Sequence, residues 1–404
     1  MKCIIVSPVA SIPTHSGNSA RVRHIHEMLS GLGISVTFVL CPIKGIAVRS
    51  DGYSMAATYG HQFIQMNDGK PYKPALIQRL LTRFKKTCRQ KNIALPARFE
   101  DFIFKDSFIS SQAIDDFKCI VNKIKPDFIV INYAFLAKLI KAIDDSVVTI
   151  IDTHDKFTDR NQQIRESGGD GFWLSLTKKQ EKGLLSRADI VLAIQHHEGN
   201  YFRGLLRGEQ TQVETLSIVQ PPARKSYVGD PSKFTVGFLG SNNKHNRDGI
   251  LFFVENHWDG IKKQIPEATL VIAGAKYDEF VNQEDSAIYC VGRVEDLGDF
   301  YDGCNLIVNP CLSGSGLKIK SVEAMTHGKP LVTTACGAHG LEDGCEFGLV
   351  ISDLESDLFA TECVRILSDS SEQQRLGDLN LLYIEKQRDL SIRKLQALLK
   401  IPQP

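Results

Sequence analysis

Residues 309–334 read NPCLSGSGLKIKSVEAMTHGKPLVTT, and the organisation of the chain follows from them. Leu306, Ile307 and Val308 supply a short apolar strand just before. Gly314, Ser315 and Gly316 let the backbone turn tightly. A helix is expected from about Leu317 to His327. Gly328 stands where a left-handed C-cap belongs, and Pro330 where a helix cannot continue. Leu331 to Thr334 reads as the next strand. A glycine-rich turn that feeds a helix N-terminus offers unbonded N–H groups and the positive end of the helix dipole. That suits an anion, most often a phosphate. Lys318 and Lys320 add charge beside it. Glu323, nearly two turns in, leans back toward the N-terminus. A carboxylate behind an anion cradle suits the ribose hydroxyls and diphosphate of a nucleotide-sugar. A plain β-α-β unit whose glycines only turn the chain fits the same letters, so the stretch by itself leaves both readings open.

Composition narrows the rest. A chain of 404 residues favours two domains over one core. With 43% hydrophobic and 24% charged residues it reads as an ordinary soluble globular protein. A net charge of +1 gives no general attraction to nucleic acid. No apolar run is long enough to span a bilayer, and MKCIIVSPVA is too short and β-branched for a signal peptide. The ten cysteines are scattered singly, without CxxC or zinc-like spacing. A reduced, cytoplasmic protein without a structural metal is expected.

Strands and helices alternate along the chain, the mark of α/β architecture with parallel sheets. Lys2 to Ser7 is the first strand. A loop holding His15, Gly17 and Asn18 follows, with Asn18 or Ser19 as the cap of a helix to about Leu32. This puts the loop at the carboxyl edge of the sheet, where open α/β folds bind ligands, with Arg21 and Arg23 in reach. Gln78 to Asn92 forms a basic, partly apolar segment. Its run from Arg79 to Lys91 suits either a solvated helix face or an anionic membrane surface. Val147 to Asp152 is a strand ending in Thr153, His154 and Asp155, a polar group placed to face a cleft, and Asp159 and Arg160 extend it. His196, His197 and Glu198 are poorly spaced for a metal, because adjacent helical residues point to different faces. Gln220, Pro221 and Pro222 read as a linker. After it, Asn246 is expected to cap a helix reaching about Gln264.

From Phe234 onward the chain resembles the donor-binding domain of GT-B glycosyltransferases of the GT4 type. The resemblance rests on VGFLGSNNKHNRDGI, TLVIAG, YCVGRVEDLGDFYDGCNLIVNPCLSGSGLKIKSVEAM and GKPLVTTACGAHGL, in the family's order over about residues 234–342. The first half resembles the family more loosely, through the glycine loop at Gly17, the THD turn and LLSRADIVLAIQ. The resemblance implies two Rossmann-like domains whose parallel sheets face a central cleft. Residues 1–220 would bind acceptor and 221–384 nucleotide-sugar, with a last helix, about 385–404, packed back on the first domain. It implies that Glu323 binds ribose and that Gly314, Ser315, Gly316 and Leu317 hold sugar hydroxyls and diphosphate. Arg293 and Val294 would meet the base. Gly17 and Gly240 would allow close approach of the donor, and His154 would lie near the reacting sugar. His15, Asn18, Arg21 and Asp155 would face the acceptor. The family's first acid of E-x7-E falls on Ser315, and its phosphate-binding Arg/Lys pair has no clean match at Lys244 and Arg247. Lys318 or Lys320 is expected to supply that charge.

The expected chemistry is glycosyl transfer from a nucleoside-diphosphate sugar to a glycan or lipid-linked acceptor. The resemblance suggests retention of configuration, and no cofactor or metal is expected, since no DxD-like metal pair falls in the expected cleft. His154, Lys318 and Glu323 would carry the transfer. Two other readings stay open: a GT-B sugar-nucleotide epimerase, and a non-catalytic nucleotide-sugar-binding subunit, for which Ser315 argues. A Rossmann oxidoreductase is disfavoured, because the first turn lacks GxGxxG.

Overall fold

A computed structural model describes residues 1–12, 17–43, 51–72, 80, 83–84, 87–88, 91, 93, 109–160, 162, 175–241, 243–277, 280, 287–314 and 316–401. The expected positions His15 and Ser315, and most of Gln78 to Asn92, lie outside them. The chain divides into two compact units, Met1–Leu216 and Ser217–Pro404. The division falls just ahead of the expected linker, and residues 385–401 count with the second unit.

In the first unit the strands are β1 (Lys2–Ser7), β2 (Ser35–Leu40), β3 (Phe63–Gln65), β4 (Phe128–Asn132), β5 (Val148–Asp152), β6 (Ile190–Ala193) and β7 (Gln212–Thr215). They pair, all parallel, in the order β3-β2-β1-β4-β5-β6-β7. Strands covered on both faces read as unbroken apolar runs. Accordingly Cys3 through Ser7 and Phe128 through Asn132 are buried without alternation. The helices are α1 (Gly17–Gly31), α2 (Asp51–Tyr59), α3 (Ser111–Ile124), α4 (Lys178–Leu185) and α5 (His196–Leu205). In α3, Ser110 caps the first turn, Ala113, Phe117 and Val121 go inward at four-residue spacing, and Lys125 ends it in the left-handed region. In α1, Gly17 is already helical, so Asn18 and Ser19 sit in the first turn and neither is the expected cap. Ser19 Oγ instead donates to Ala10 O at 2.7 Å.

The second unit holds β8 (Thr235–Leu239), β9 (Thr269–Ala273), β10 (Ile288–Gly292), β11 (Leu306–Asn309), β12 (Leu331–Thr333) and β13 (Leu349–Ile351), parallel in the order β10-β9-β8-β11-β12-β13. Its helices are α6 (Lys244–Phe253), α7 (Asp259–Gln264), α8 (Leu297–Asp302), α9 (Ile319–Thr326), α10 (Leu358–Leu367) and α11 (Ser370–Leu399). Asn243, not Asn246, caps α6, accepting from the Asn246 amide at 3.0 Å. A π turn, Val254–Trp258, joins α6 to α7. The buried Phe253 precedes it, and the buried His257 and Trp258 close it.

The decisive segment folds much as expected. Its helix α9 starts at Ile319, two residues later than the sequence indicates. Gly328 takes φ +65° and ends α9 in a Schellman turn: Gly328 N donates to Met325 O and Lys329 N to Ala324 O, both at 3.0 Å. A Cβ here would also meet Leu381 Cδ1 of α11 at 2.8 Å.

Candidate active site

Each unit gathers polar side chains at the carboxyl edge of its own sheet. In the first unit the centre is Asp152, the last residue of β5, fully buried. Arg21 of α1 grips it with Nε at 2.9 and 3.1 Å and Nη2 at 2.7 Å, and gives Nη1 to Leu216 O at 2.8 Å. Burial alone would raise the pKa of Asp152. Arg21 and then His154 more than offset that and hold it below the usual carboxylate range. This spends the guanidinium on the fold, so Arg21 braces the edge where the sequence placed it against an acceptor. Arg23 points outward and pairs with Glu27 at 2.8 Å.

His154 follows in a left-handed conformation, φ +60°, which turns its ring back over the strand ends. Its Nε2 lies 2.7 Å from Asn132 Oδ1 and 3.3 Å from Asp152 Oδ2. Asn132 Nδ2 donates to Val6 O at 3.1 Å, so its Oδ1 must accept and His154 Nε2 carries the proton. Burial pushes the His154 pKa down to about 4, with Asp152 opposing and Arg21 adding to the fall. The ring is therefore neutral at pH 7, and its Nδ1 keeps a lone pair. It stacks on Tyr133, centroids 4.2 Å apart, and Asn18 Nδ2 donates to the Tyr133 hydroxyl at 2.6 Å. Asp155 pairs with Arg160. Glu198, in the first turn of α5, is buried with Oε2 unpartnered among the described residues. Burial and then Asp155 push its pKa up to about 8, which keeps it protonated and uncharged.

In the second unit the loops after β8, β11 and β12 adjoin. Among the described residues no side chain caps α9. The Ser321 and Val322 amides turn back to Lys318 O, at 2.9 and 3.2 Å. The N-terminus of α9 is braced from below: Asn309 Nδ2 donates to Ser321 Oγ at 2.7 Å, which donates to Gly337 O at 2.8 Å. Gly314 and Gly316 take φ +113° and +79°, which only glycine adopts freely. Lys318 Nζ donates to Gly314 O at 2.8 Å and so steadies the turn. Lys320 Nζ lies 2.5 Å from Asn246 Oδ1 and 4.9 Å from the Phe238 ring centre. Burial brings its pKa down to about 8. His245 Nδ1 meets Ser313 Oγ at 2.7 Å.

Glu323 is half-buried in α9, and no hydrogen bond or ion pair among the described residues reaches its carboxylate. Burial pushes its pKa up to about 7. The other expected donor positions are dispersed more widely. Arg293 is exposed after β10. Val294 lines a cavity of about 510 Å³ with Val271, Val291 and Phe300, on the α8 side of the sheet. Gly240 is packed so that a Cβ would meet the Phe238 ring at 2.9 Å, and Tyr277 donates to its carbonyl at 3.3 Å. Gly17 opens α1, and Leu317 is buried. Sequence reasoning missed Asp152, Asn132, Tyr133 and Asn246. Only their positions at strand ends or beside a cap could have marked them.

Comparison with known proteins agrees with this layout. The family model described as glycosyl transferases group 1 matches residues 233–369. An uncharacterised 44.6 kDa protein in the cps region of Klebsiella pneumoniae is 26% identical over 146 residues, 36% of this chain and 35% of that protein. Thus the match spans about a third of the relative's length. Solved structures align over nearly the whole chain. Sucrose-phosphate synthase from Thermosynechococcus elongatus gives a TM-score of 0.64 at 17% identity, covering 99% of this chain and 98% of that one. HepE from Anabaena, solved with UDP and glucose, gives 0.60 at 12%, covering 99% of each. The pneumococcal O-GlcNAc transferase GtfA, solved with UDP and GlcNAc, gives 0.64 at 10%, covering 99% and 98%. At these identities the likeness establishes the fold.

Proposed function

Taking as premise that this chain is a glycosyltransferase of the GT-B fold, with a glycosyl transferases group 1 domain over residues 233–369, we propose that it moves a sugar from a nucleoside-diphosphate donor held at β11–α9. The observation that carries this reading is Glu323: a half-buried carboxylate that no described residue pairs, behind a glycine turn and a helix that no described side chain caps. A half-buried carboxylate raised to about 7 suits a partner that donates hydrogen bonds to it. The two hydroxyls of a ribose do so. The diphosphate then lies toward the amides at the start of α9, with Lys320 and Lys318 adjoining.

As the glycosidic bond breaks, the sugar gains oxocarbenium character and negative charge grows on the leaving phosphate. The helix amides and lysine ammoniums stabilise that growing charge more than they stabilise the ground state. In this reading they do so without a divalent metal, and attack comes from the face the phosphate leaves, with retention. His154 stays neutral and offers Nδ1 as a hydrogen-bond acceptor to a sugar hydroxyl. It orients rather than shuttles protons, so turnover should show no limb near the ordinary histidine pKa. A surface glycan or its lipid-linked precursor is the acceptor class. The cps-region relative supports this, as does the basic segment from Arg79 to Lys91, which suits an anionic membrane.

The test is incubation with a panel of labelled nucleotide-sugars, with UDP-linked donors first because two structural neighbours hold UDP. Slow release of free sugar and nucleoside diphosphate, persisting in EDTA, is expected. Reversible isomerisation without release would point to an epimerase. Tight binding without turnover, even with acceptor present, would point to a binding subunit.

A further inference from the structure

Two thiols flank the glycine turn. Cys311 follows β11 and Cys336 follows β12, and their Sγ atoms lie 3.6 Å apart. The loops that carry them are already fastened together, since Thr334 Oγ1 donates to Cys311 O at 2.5 Å and Thr333 Oγ1 to Asn309 O at 2.9 Å. Each sulfur also touches the turn: Cys311 Sγ lies 3.1 Å from Ser313 O and Cys336 Sγ 3.5 Å from Gly314 O. Cys336 is partly exposed and Cys311 buried, so a reagent reaches the pair from one side. Two sulfurs in van der Waals contact need to approach by only about 1.5 Å to reach bonding distance, a movement within side-chain rotation.

The geometry points to Cys311 and Cys336 as a modification site: a dithiol that exchanges with small disulfides of the glutathione class and closes to an intramolecular disulfide. The electrostatics favour the exchange. The Cys336 thiol, and then the Lys318 and Lys320 ammoniums, bring the Cys311 pKa down to about 5, while Cys336 is pushed up by the same contact. One thiolate is thus available and one proton is shared. With the shared proton resting on Cys311, the partly exposed Cys336 sulfur attacks a sulfur of the small disulfide, forming a mixed disulfide and expelling one small thiolate, which takes that proton. Cys311, now the thiolate, attacks the Cys336 sulfur, forming the internal bond and expelling the second. Two protein sulfurs are oxidised and one small disulfide is reduced to two thiols, one taking the proton the cysteine pair held and the other a proton from water.

The consequence for the site rests on the donor reading given above. Closure removes a negative sulfur from beside Lys318 and Lys320, the charges proposed to meet the diphosphate. The oxidised form should therefore bind nucleoside diphosphate more tightly, by roughly fivefold or more, within the span of measured couplings.

The experiment treats the full-length protein with oxidised glutathione, maps its disulfides by peptide mass, and titrates UDP and GDP before and after. Expected are a bond between Cys311 and Cys336, a tightened nucleotide affinity, reversal of both by dithiothreitol, and neither change in Cys336→Ser. Glutathione adducts on the exposed Cys119 and Cys345 without a bond between Cys311 and Cys336 would overturn the site. A bond formed with unchanged or weaker affinity would overturn its coupling to the donor. If the reduced protein binds no nucleotide at all, the donor reading fails, and the mass map alone still decides for or against the disulfide.

Discussion

The two sheet edges use similar residues to opposite ends. At the first, a buried arginine, a carboxylate, an asparagine and a histidine are almost wholly spent on one another: Arg21 on Asp152, Asn132 on Val6 and His154. What these four leave over is one imidazole lone pair, and the same edge holds the protonated Glu198 carboxyl, whose Oε2 no described residue meets. At the second, Glu323 keeps a half-buried carboxylate that no described residue pairs, no described side chain caps α9, and Lys320 meets an amide oxygen, an aromatic ring and the nearby Cys311 sulfur. A network that satisfies itself holds a fold, whereas one left incomplete and half-buried fits a ligand that will complete it. The difference gives the first edge mainly a bracing role, with His154 Nδ1 left over, and under the proposed function it gives the second edge the diphosphate and the ribose.

That contrast can be broken most forcefully at Asp152. Asp152→Ala strands a buried guanidinium and should cost about 3–5 kcal/mol of stability, read as a large fall in the melting temperature. If the first edge were a binding site with a dispensable pair, melting would barely move. Lys320→Ala is next. It should cut turnover by roughly 10- to 1,000-fold with little change in melting, while Lys318→Ala, which steadies the turn, should do less. Equal and unchanged rates in both would remove the lysines from the reaction. Glu323→Ala should weaken nucleoside-diphosphate binding by about 1.5–3 kcal/mol, the range for hydrogen bonds to a charged group, and wild-type affinity in that protein would sink the ribose assignment.

The smallest effect concerns pH. Glu323 has a folded pKa of about 7 against the ordinary glutamate value of 4.5. Its ionisation therefore costs stability, with no penalty below the unfolded value, a growing one as pH rises between the two, and the full one above the folded value. Glu323→Gln should melt higher than wild type at pH 8 and equally at pH 4. Nucleotide affinity of the wild type should rise with pH and level off above about 7, as the carboxylate becomes the better acceptor. A flat profile would place Glu323 outside the donor's reach.

Much of the second edge was legible because its signals are local. The glycines of the turn, the Schellman position at Gly328 and the place of Glu323 all fall within one helix and its ends. The first edge was not, because its logic spans the sequence. Arg21 meets Asp152 across 131 positions, and nothing near either residue announces the other. Asn18 and Asn246 were read as caps for a related reason. Both regions carry several cap-forming residues in a row, and which of them precedes the first helical residue depends on tertiary contacts. Cys311 and Cys336 looked like single thiols until parallel pairing of β11 with β12 set their loops side by side.

The π turn at Val254–Trp258 has a consequence for length variation. Phe253, His257 and Trp258 face inward at positions i, i+4 and i+5, a spacing that a regular α-helix cannot bring onto one stripe and that a wider turn can. Glu255, exposed between them, is the supernumerary residue. Removing it would leave the three at i, i+3 and i+4, the ordinary apolar face of an α-helix. The helix should then close into one uninterrupted rod at little cost in melting temperature, whereas deleting a residue from α6 would rotate Ile250 and Phe253 out of the core. A helix carrying one residue too many can give it back, so this is where shorter members of a lineage would be expected to have lost one.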